Sequence, residues 1–279
     1  MNSKKTKKQL KRGFTVLELL IVITIIGILF SIFIFSYKDY KERARLAKTM
    51  EWAHSIKSYL GAYAAGIWTL GIIQVNVTPD YSGQESDCTV YGATLSKGVS
   101  ENGLIFDGAD YVNCGDKEIF KLPKGEKITL ELWFNSSVSQ SAALIAKRKS
   151  GSTDLYGMFL YPTTISFYFR GSDSSGVNNR TISGNYHDGK WHHLVASYNT
   201  SNGGLKAYLD GVEKLSGIFT VNTNIALEGY LDFGAQYETG SRFIGMLDEI
   251  RIYKETLPQV MVKKHYVEGL KRHQNLTKK

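Results

Sequence analysis

FTVLELLIVITIIGILFSIFIF, residues 14–35, is apolar almost throughout and carries one carboxylate, Glu18, near its start. At about 1.5 Å of rise per helical residue, the run is long enough to cross a hydrocarbon core roughly 30 Å thick. The cations ahead of it, Lys4, Lys5, Lys7, Lys8, Lys11 and Arg12, fit the cytoplasmic flank of a membrane helix and disfavour a buried helix of a soluble protein. Glu18 calls for a partner, because an acid inside such a span costs about 2.5–3.5 kcal/mol at the centre and less near an end. If the chain is cut between Gly13 and Phe14, the new α-amine lies one helical turn from Glu18. Amine and carboxylate on adjacent apolar helices then neutralise each other.

Two simpler readings account for less. A cleaved secretion signal would end in small residues, whereas this run continues into FSIFIFSYKDYKERA, residues 30–44. A plain signal anchor explains the apolar run and its basic flank but leaves Glu18 unexplained.

The segment KRGFTVLELLIVITIIGIL, Lys11 to Leu29, resembles the processing site of type IV pilins and type II secretion pseudopilins. The resemblance implies cleavage by a membrane prepilin peptidase after Gly13 and N-methylation of Phe14. It also implies that Glu18, fifth in the mature chain, guides subunits into a filament. Other pilin or pseudopilin subunits and an assembly platform follow as implied partners. The implied location is the inner (cytoplasmic) membrane, single-pass with an extracytoplasmic head, and after assembly a cell-surface filament.

The chain has 279 residues, 43% of them hydrophobic, which leaves room for one sizeable folded domain beyond the membrane helix. Its net charge of +8 is concentrated in residues 1–13, which hold six of those charges and no acid. The mature chain is close to neutral, so no electrostatic footprint for nucleic acid is expected, the basic tail Lys263 to Lys279 reading as a solvated helix face. Cys88 and Cys114 lie on the oxidising side of the membrane and are expected to form a disulfide. Two cysteines without a histidine pair in register do not make a zinc site.

Beyond the membrane run, apolar residues from Tyr40 to Ile67 recur at steps of three and four, which predicts that the helix continues as an amphipathic segment over 36–71. Residues 72–102 read as a linker, with Pro79, Asp80, Ser82 and Gly83 as turn formers. From 103 to 255 the period changes to two. Ile128, Leu130, Leu132 and Phe134 alternate with Thr129, Glu131 and Trp133, as half-buried strands do. Asp210-Gly211 between two such runs predicts a hairpin. Residues 256–279 read as a closing helix and basic tail. The fold class expected is α+β: a long N-terminal membrane-spanning α-helix followed by an antiparallel β-sandwich.

Within that sandwich, GLIFDGADYV (103–112), ITLELWF (128–134), DGKWHHLVASYN (188–199), GLKAYLDGV (204–212) and FIGMLDEIRIYKETL (243–257) resemble successive segments of a laminin-G-like, concanavalin A-like jelly roll. That resemblance implies two curved sheets of six or seven strands, used to bind carbohydrate or protein, often with calcium. Asp248, read as sharing the inward face with Met246, Ile250 and Ile252, is the calcium candidate together with Asp107; the competing reading has Asp248 accept backbone N–H bonds. His192 and His193, adjacent on a strand, point to opposite faces and do not converge on one ion. Glu249 and Arg251 read as a weak surface pair. No Glu-x-Asp-x-Glu motif supplies the paired carboxylates of a jelly-roll glycosidase, so no enzyme activity is expected. Two functions stand: a pilus or pseudopilus subunit, minor or at the tip, with an adhesive head, or a membrane-anchored carbohydrate-binding protein that never polymerises.

Overall fold

A computed structural model describes residues 16–28, 30, 61–149, 151, 155–171, 176–219, 224–236 and 241–277, and the chain divides into two compact units at Ile56/Lys57. The leader 1–13, the Gly13–Phe14 junction and residues 36–60 of the expected helix lie outside the described residues. In the first unit, residues 16–28 form helix α1. Its side chains, from Val16 and Leu17 to Ile26 and Ile28, are exposed all round. Thr24 satisfies its hydroxyl by donating to the carbonyl of Leu20 at 2.7 Å. Among the described residues no helix is long and apolar enough to cross a membrane.

The second unit is a sandwich of two antiparallel sheets. Sheet A runs in the order β14 (Val212–Ile218), β13 (Gly204–Leu209), β12 (Trp191–Asn199), β7 (Lys127–Asn135), β16 (Ile244–Tyr253), β5 (Asn102–Asp107), β4 (Thr94–Lys97), with β1 (Ala64–Trp68) paired to the far half of β16. Sheet B runs β11 (Gly176–Ser183), β10 (Thr164–Arg170), β9 (Leu155–Tyr161), β8 (Ala142–Arg148), β15 (Tyr230–Phe233), β6 (Tyr111–Asn113), β3 (Cys88–Tyr91), β2 (Val77–Thr78). Eight strands in each sheet exceed the six or seven expected. Leu130, Leu132 and Phe134 of β7 and Leu194, Ala196 and Tyr198 of β12 face Met158, Phe167 and Phe169 across one core. Phe169 stacks on Tyr198 at 4.7 Å. The predicted hairpin forms, with Asp210 at φ 52° and Gly211 at φ 75°.

Three expectations are corrected. Residues 64–68 are strand β1, not the end of a helix over 36–71, because Trp68 is drawn into the core against Phe233 at 5.0 Å and donates its indole N–H to Ser86 at 2.9 Å. A Cβ at Gly66 would lie 2.0 Å from the Trp68 ring, so the bend that folds this indole inward needs glycine there. Residues 72–102 are not a linker: they carry β2, β3 and β4 and join both sheets. Residue parity in β16 also changes midway. Asp248 pairs with Trp133 but Arg251 with Glu131, so β16 holds one extra residue, a bulge with Glu249 at φ 50°. Leu247 therefore faces the core before the bulge and Ile250 and Ile252 after it, while Met246 stays partly exposed.

The alternate residues of β7 are buried too. Thr129, Glu131 and Trp133 lie under α2 (Gln259–Thr277), which closes the outer face of sheet A. Tyr266 stacks on Trp133 at 5.8 Å, and Leu257, just before the helix, donates its N–H to the Thr129 hydroxyl at 3.1 Å.

Candidate assembly residue and binding head

Glu18 sits in the first turn and a half of α1, the one charged residue of 16–28. Apart from Thr24, whose hydroxyl bonds back to Leu20, the other side chains of this helix are apolar and leave Glu18 as its single charge. Gly13 and Phe14 are not among the described residues.

In the head, Asp248 Oδ2 accepts the N–H groups of Val99 at 2.7 Å and Ser100 at 3.1 Å, and Oδ1 accepts that of Glu249 at 2.7 Å. It thereby ties the turn between β4 and β5 to the bulge. Burial raises its pKa to about 7; the Ser100 N–H opposes this and the neighbouring Glu249 charge adds to it. Asp107 pairs across the strands with Ile244, whereas Asp248 packs on Gly103, four positions away along β5. At about 3.3 Å per strand residue the two carboxylates are roughly 13 Å apart in register, too far to share one ion. Asp107 instead accepts the Ala109 N–H at 2.7 Å and donates its own N–H to Asp110 at 2.9 Å. Among the described residues no group of three or more His, Cys, Asp or Glu side chains could hold a metal.

Cys88 and Cys114 form a disulfide. It joins the start of β3 to the residue after β6, one step beyond the Thr89–Asn113 pair.

The two histidines diverge as expected. His192 lies at the end of the sandwich, with Nδ1 3.0 Å from Asp210 and Nε2 3.1 Å from Asp188. Burial works against its charge, but the two carboxylates outweigh it and hold the pKa above its ordinary value. His193 is buried under α2 and bonds Glu131 through Nε2 at 2.9 Å. Burial holds its pKa below the usual value in spite of that carboxylate.

Sequence reasoning missed what surrounds Glu131. His265 of α2 is 3.0 Å from it and Arg251 of β16 donates at 3.0 Å, so four elements meet at one buried acid. Burial would raise its pKa, but His265 and Arg251 drive it well below the ordinary carboxylate range. The Glu249–Arg251 pair belongs to this cluster, not to the surface: Arg251 bonds both acids, and Arg272 of α2 approaches Glu249 at 3.5 Å. The available signal was an acid and a Trp on the polar phase of β7, with His265, Tyr266 and Arg272 on one side of the tail helix.

An open surface lies elsewhere, on the outer face of sheet B. Tyr91 and Tyr111, directly paired across β3 and β6, stack at 4.5 Å with 7° between planes, and Arg242 lies 4.8 Å over Tyr111. Tyr91 is 47% exposed, so this aromatic pair is open to solvent at the sheet surface.

Comparison with known proteins matches these parts separately. Residues 106–263 match the concanavalin A-like lectin/glucanases superfamily, and residues 8–34 match the prokaryotic N-terminal methylation motif. The chain is similar to the type IV major pilin protein PilE of Neisseria gonorrhoeae, 32% identical over 145 residues, which cover 51% of this chain and 71% of that protein. It is 32% identical to the fimbrial protein EcpC of Eikenella corrodens over 94 residues, 33% of this chain, and spans 61% of EcpC. Among solved structures, domain 4 of AbnA, a GH43 extracellular arabinanase from Geobacillus stearothermophilus in complex with arabinotriose, matches at TM-score 0.51 and 18% identity, covering 72% of this chain and 97% of that domain. The binding domain of Paraclostridial Mosquitocidal Protein 1 matches at TM-score 0.59 and 11% identity over 74% of this chain and 52% of that one. Identities this low show the fold alone.

Proposed function

The chain belongs to the type IV pilins and, through residues 106–263, to the concanavalin A-like lectin/glucanases superfamily, and from that premise we propose that it is a minor or tip subunit whose head is an adhesive module. The precursor is held in the cytoplasmic membrane by residues 14–35 with its head outside. Prepilin peptidase cuts after Gly13, Phe14 is N-methylated, and the new amine meets Glu18 of a neighbouring copy as the subunit joins the filament. The observation that carries this reading is a helix apolar on every side with Glu18 as its one charge. Such a cylinder needs lipid or other copies of itself as cover, and the acid needs a cation in that setting. A head of this size fits a tip better than a densely packed shaft.

The head is read as binding carbohydrate or protein rather than hydrolysing it. Its adjacent acids, Asp248 and Glu249, are engaged by backbone N–H groups and by Arg251 and Arg272. The AbnA domain with arabinotriose supports the carbohydrate reading by fold only.

Sequencing the mature amino terminus and imaging filaments test the proposal. Mature chains should begin at N-methyl-Phe14, and Glu18→Val chains should be processed yet fail to enter filaments. Retention of residues 1–13 in the mature protein would instead favour a membrane-anchored binding protein that does not polymerise.

A further inference from the structure

A pocket of about 330 Å³ opens where β12 and β13 meet the segment leading into α2. Its lining includes Asn199, Asn202 and Lys206 on the sheet side and Leu257 and Pro258 on the helix side, with Tyr208 between them. The volume is at the lower end for small-ligand sites and suits one ring-sized group.

The orientation of the two amides sets the chemistry. Asn199 Oδ1 accepts the N–H of Ser201 at 2.8 Å, and Asn202 Oδ1 accepts the N–H of Gly204 at 2.9 Å. Each oxygen is thus committed to the backbone of its own turn, and the NH₂ groups are the amide atoms left for the pocket. Lys206 supplies the one charged side chain of the lining, which contains no Asp or Glu. Its ion pair with Glu213 is long, at 3.6 Å, and Lys206 is 56% exposed, so a ligand charge can compete for it. Donors and one cation line the pocket together with the apolar surfaces of Leu257, Pro258 and the Tyr208 ring, whose hydroxyl is taken up by Glu213.

We propose that this pocket binds a saccharide residue bearing a carboxylate, with Lys206 and the amides of Asn199 and Asn202 on the carboxylate and the apolar wall against the ring. The proposal rests on the reading of the head as a carbohydrate-binding module and assigns it a place and a ligand class. An acidic peptide would offer the same carboxylate without the ring, and its binding separates the two ligand classes.

Full-length protein in detergent is titrated calorimetrically with a trisaccharide ending in glucuronic acid, its counterpart ending in glucose, and a Glu-rich peptide. The acidic sugar should bind about tenfold or more tighter than the neutral one, as a charge-assisted hydrogen bond warrants. Lys206→Gln should remove about that factor for the acidic sugar and leave the neutral one unchanged. Asn202→Asp keeps the acceptor for Gly204 but replaces an NH₂ donor by a carboxylate that cancels the charge of Lys206, so it should lower acidic-sugar affinity by about tenfold or more without lowering the Tm. Unchanged acidic-sugar affinity in both variants overturns the site, and tighter binding of the peptide overturns the saccharide assignment. If the wild type still binds glycans under either result, the adhesive reading survives the loss of this pocket. Absence of binding to any of the three probes overturns the pocket, and the adhesive reading falls as well if a broad glycan and protein screen is also blank.

Discussion

A Cβ placed on Gly269 would stand 2.4 Å from Cζ2 of Trp133, so α2 crosses sheet A where only a glycine lets the helix backbone rest on the indole. In an isolated helix, Gly→Ala stabilises by about 1 kcal/mol. Here the contact decides the sign. Gly269→Ala should destabilise the head by about 1–3 kcal/mol through overpacking, measured by urea unfolding with Trp fluorescence. A more stable variant would mean that α2 does not sit on Trp133.

The latch between α2 and the sheet is electrostatic at its centre. Glu131 is fully buried, with His193, His265 and Arg251 around it. Removing one partner from such a group leaves uncompensated charge, at a cost of about 3–5 kcal/mol. Glu131→Gln should therefore lower stability by that order, and Glu131→Leu combined with Arg251→Met should cost less than Glu131→Leu and Arg251→Met added together, with Arg272 left to face Glu249. The double variant is the informative one: an effect equal to the sum of the singles would show that the charges are not coupled.

Adjacent histidines should give opposite pH dependences. His192, raised by Asp210 and Asp188 in spite of its burial, contributes stability that is complete below pH about 6.5 and is lost as the pH climbs through its higher folded value. His193, lowered by burial, stays neutral in the fold after the unfolded chain has taken up its proton, so stability drains as the pH falls from about 6.5. Denaturation of His192→Gln across pH should show a flatter alkaline side. His193→Gln, which keeps a donor for Glu131, should flatten the slope just below pH 6.5. Identical profiles in both variants would contradict this assignment.

The alternation of β7 located its core residues from sequence because a period of two needs only one buried face to be visible. What it could not show is that the other phase is buried as well: Thr129, Glu131 and Trp133 look like a solvated face until α2, more than 120 residues later, lies down on them. The β16 bulge was invisible for another reason. Glu249 adopts a positive φ with no Gly or Asn to mark it, so parity read straight through Asp248 placed Met246 inward. Strand β1 was read as helix because Tyr63 and Ile67 fit a helical step, while the tertiary pull on Trp68 has no local signature. Nothing in the sequence marks Asn199, Asn202 and Lys206 as belonging to one pocket, since no motif joins them. Only the folded turns reveal that both amide oxygens are already used.

The disulfide offers a test of how the early strands are held. Cys88 and Cys114 lie 26 positions apart and clamp β3 to β6, and β3 in turn carries the two-residue strand β2 at the edge of sheet B. In the chain-entropy picture, closing a loop of that length stabilises by about 3–4 kcal/mol. Reduction, or Cys88→Ala with Cys114→Ala, should cost that amount. The loss should not be uniform, because β7, β12 and β16 are buried in the centre of sheet A, whereas β2 is two residues long and lies at the edge of sheet B beside β3. Amide hydrogen exchange should therefore accelerate first at Thr78, Val90 and Val112 and least at Leu132 and Ala196. Equal acceleration at all five would indicate that the bridge acts on the whole unfolded chain alone and that the edge of sheet B holds itself.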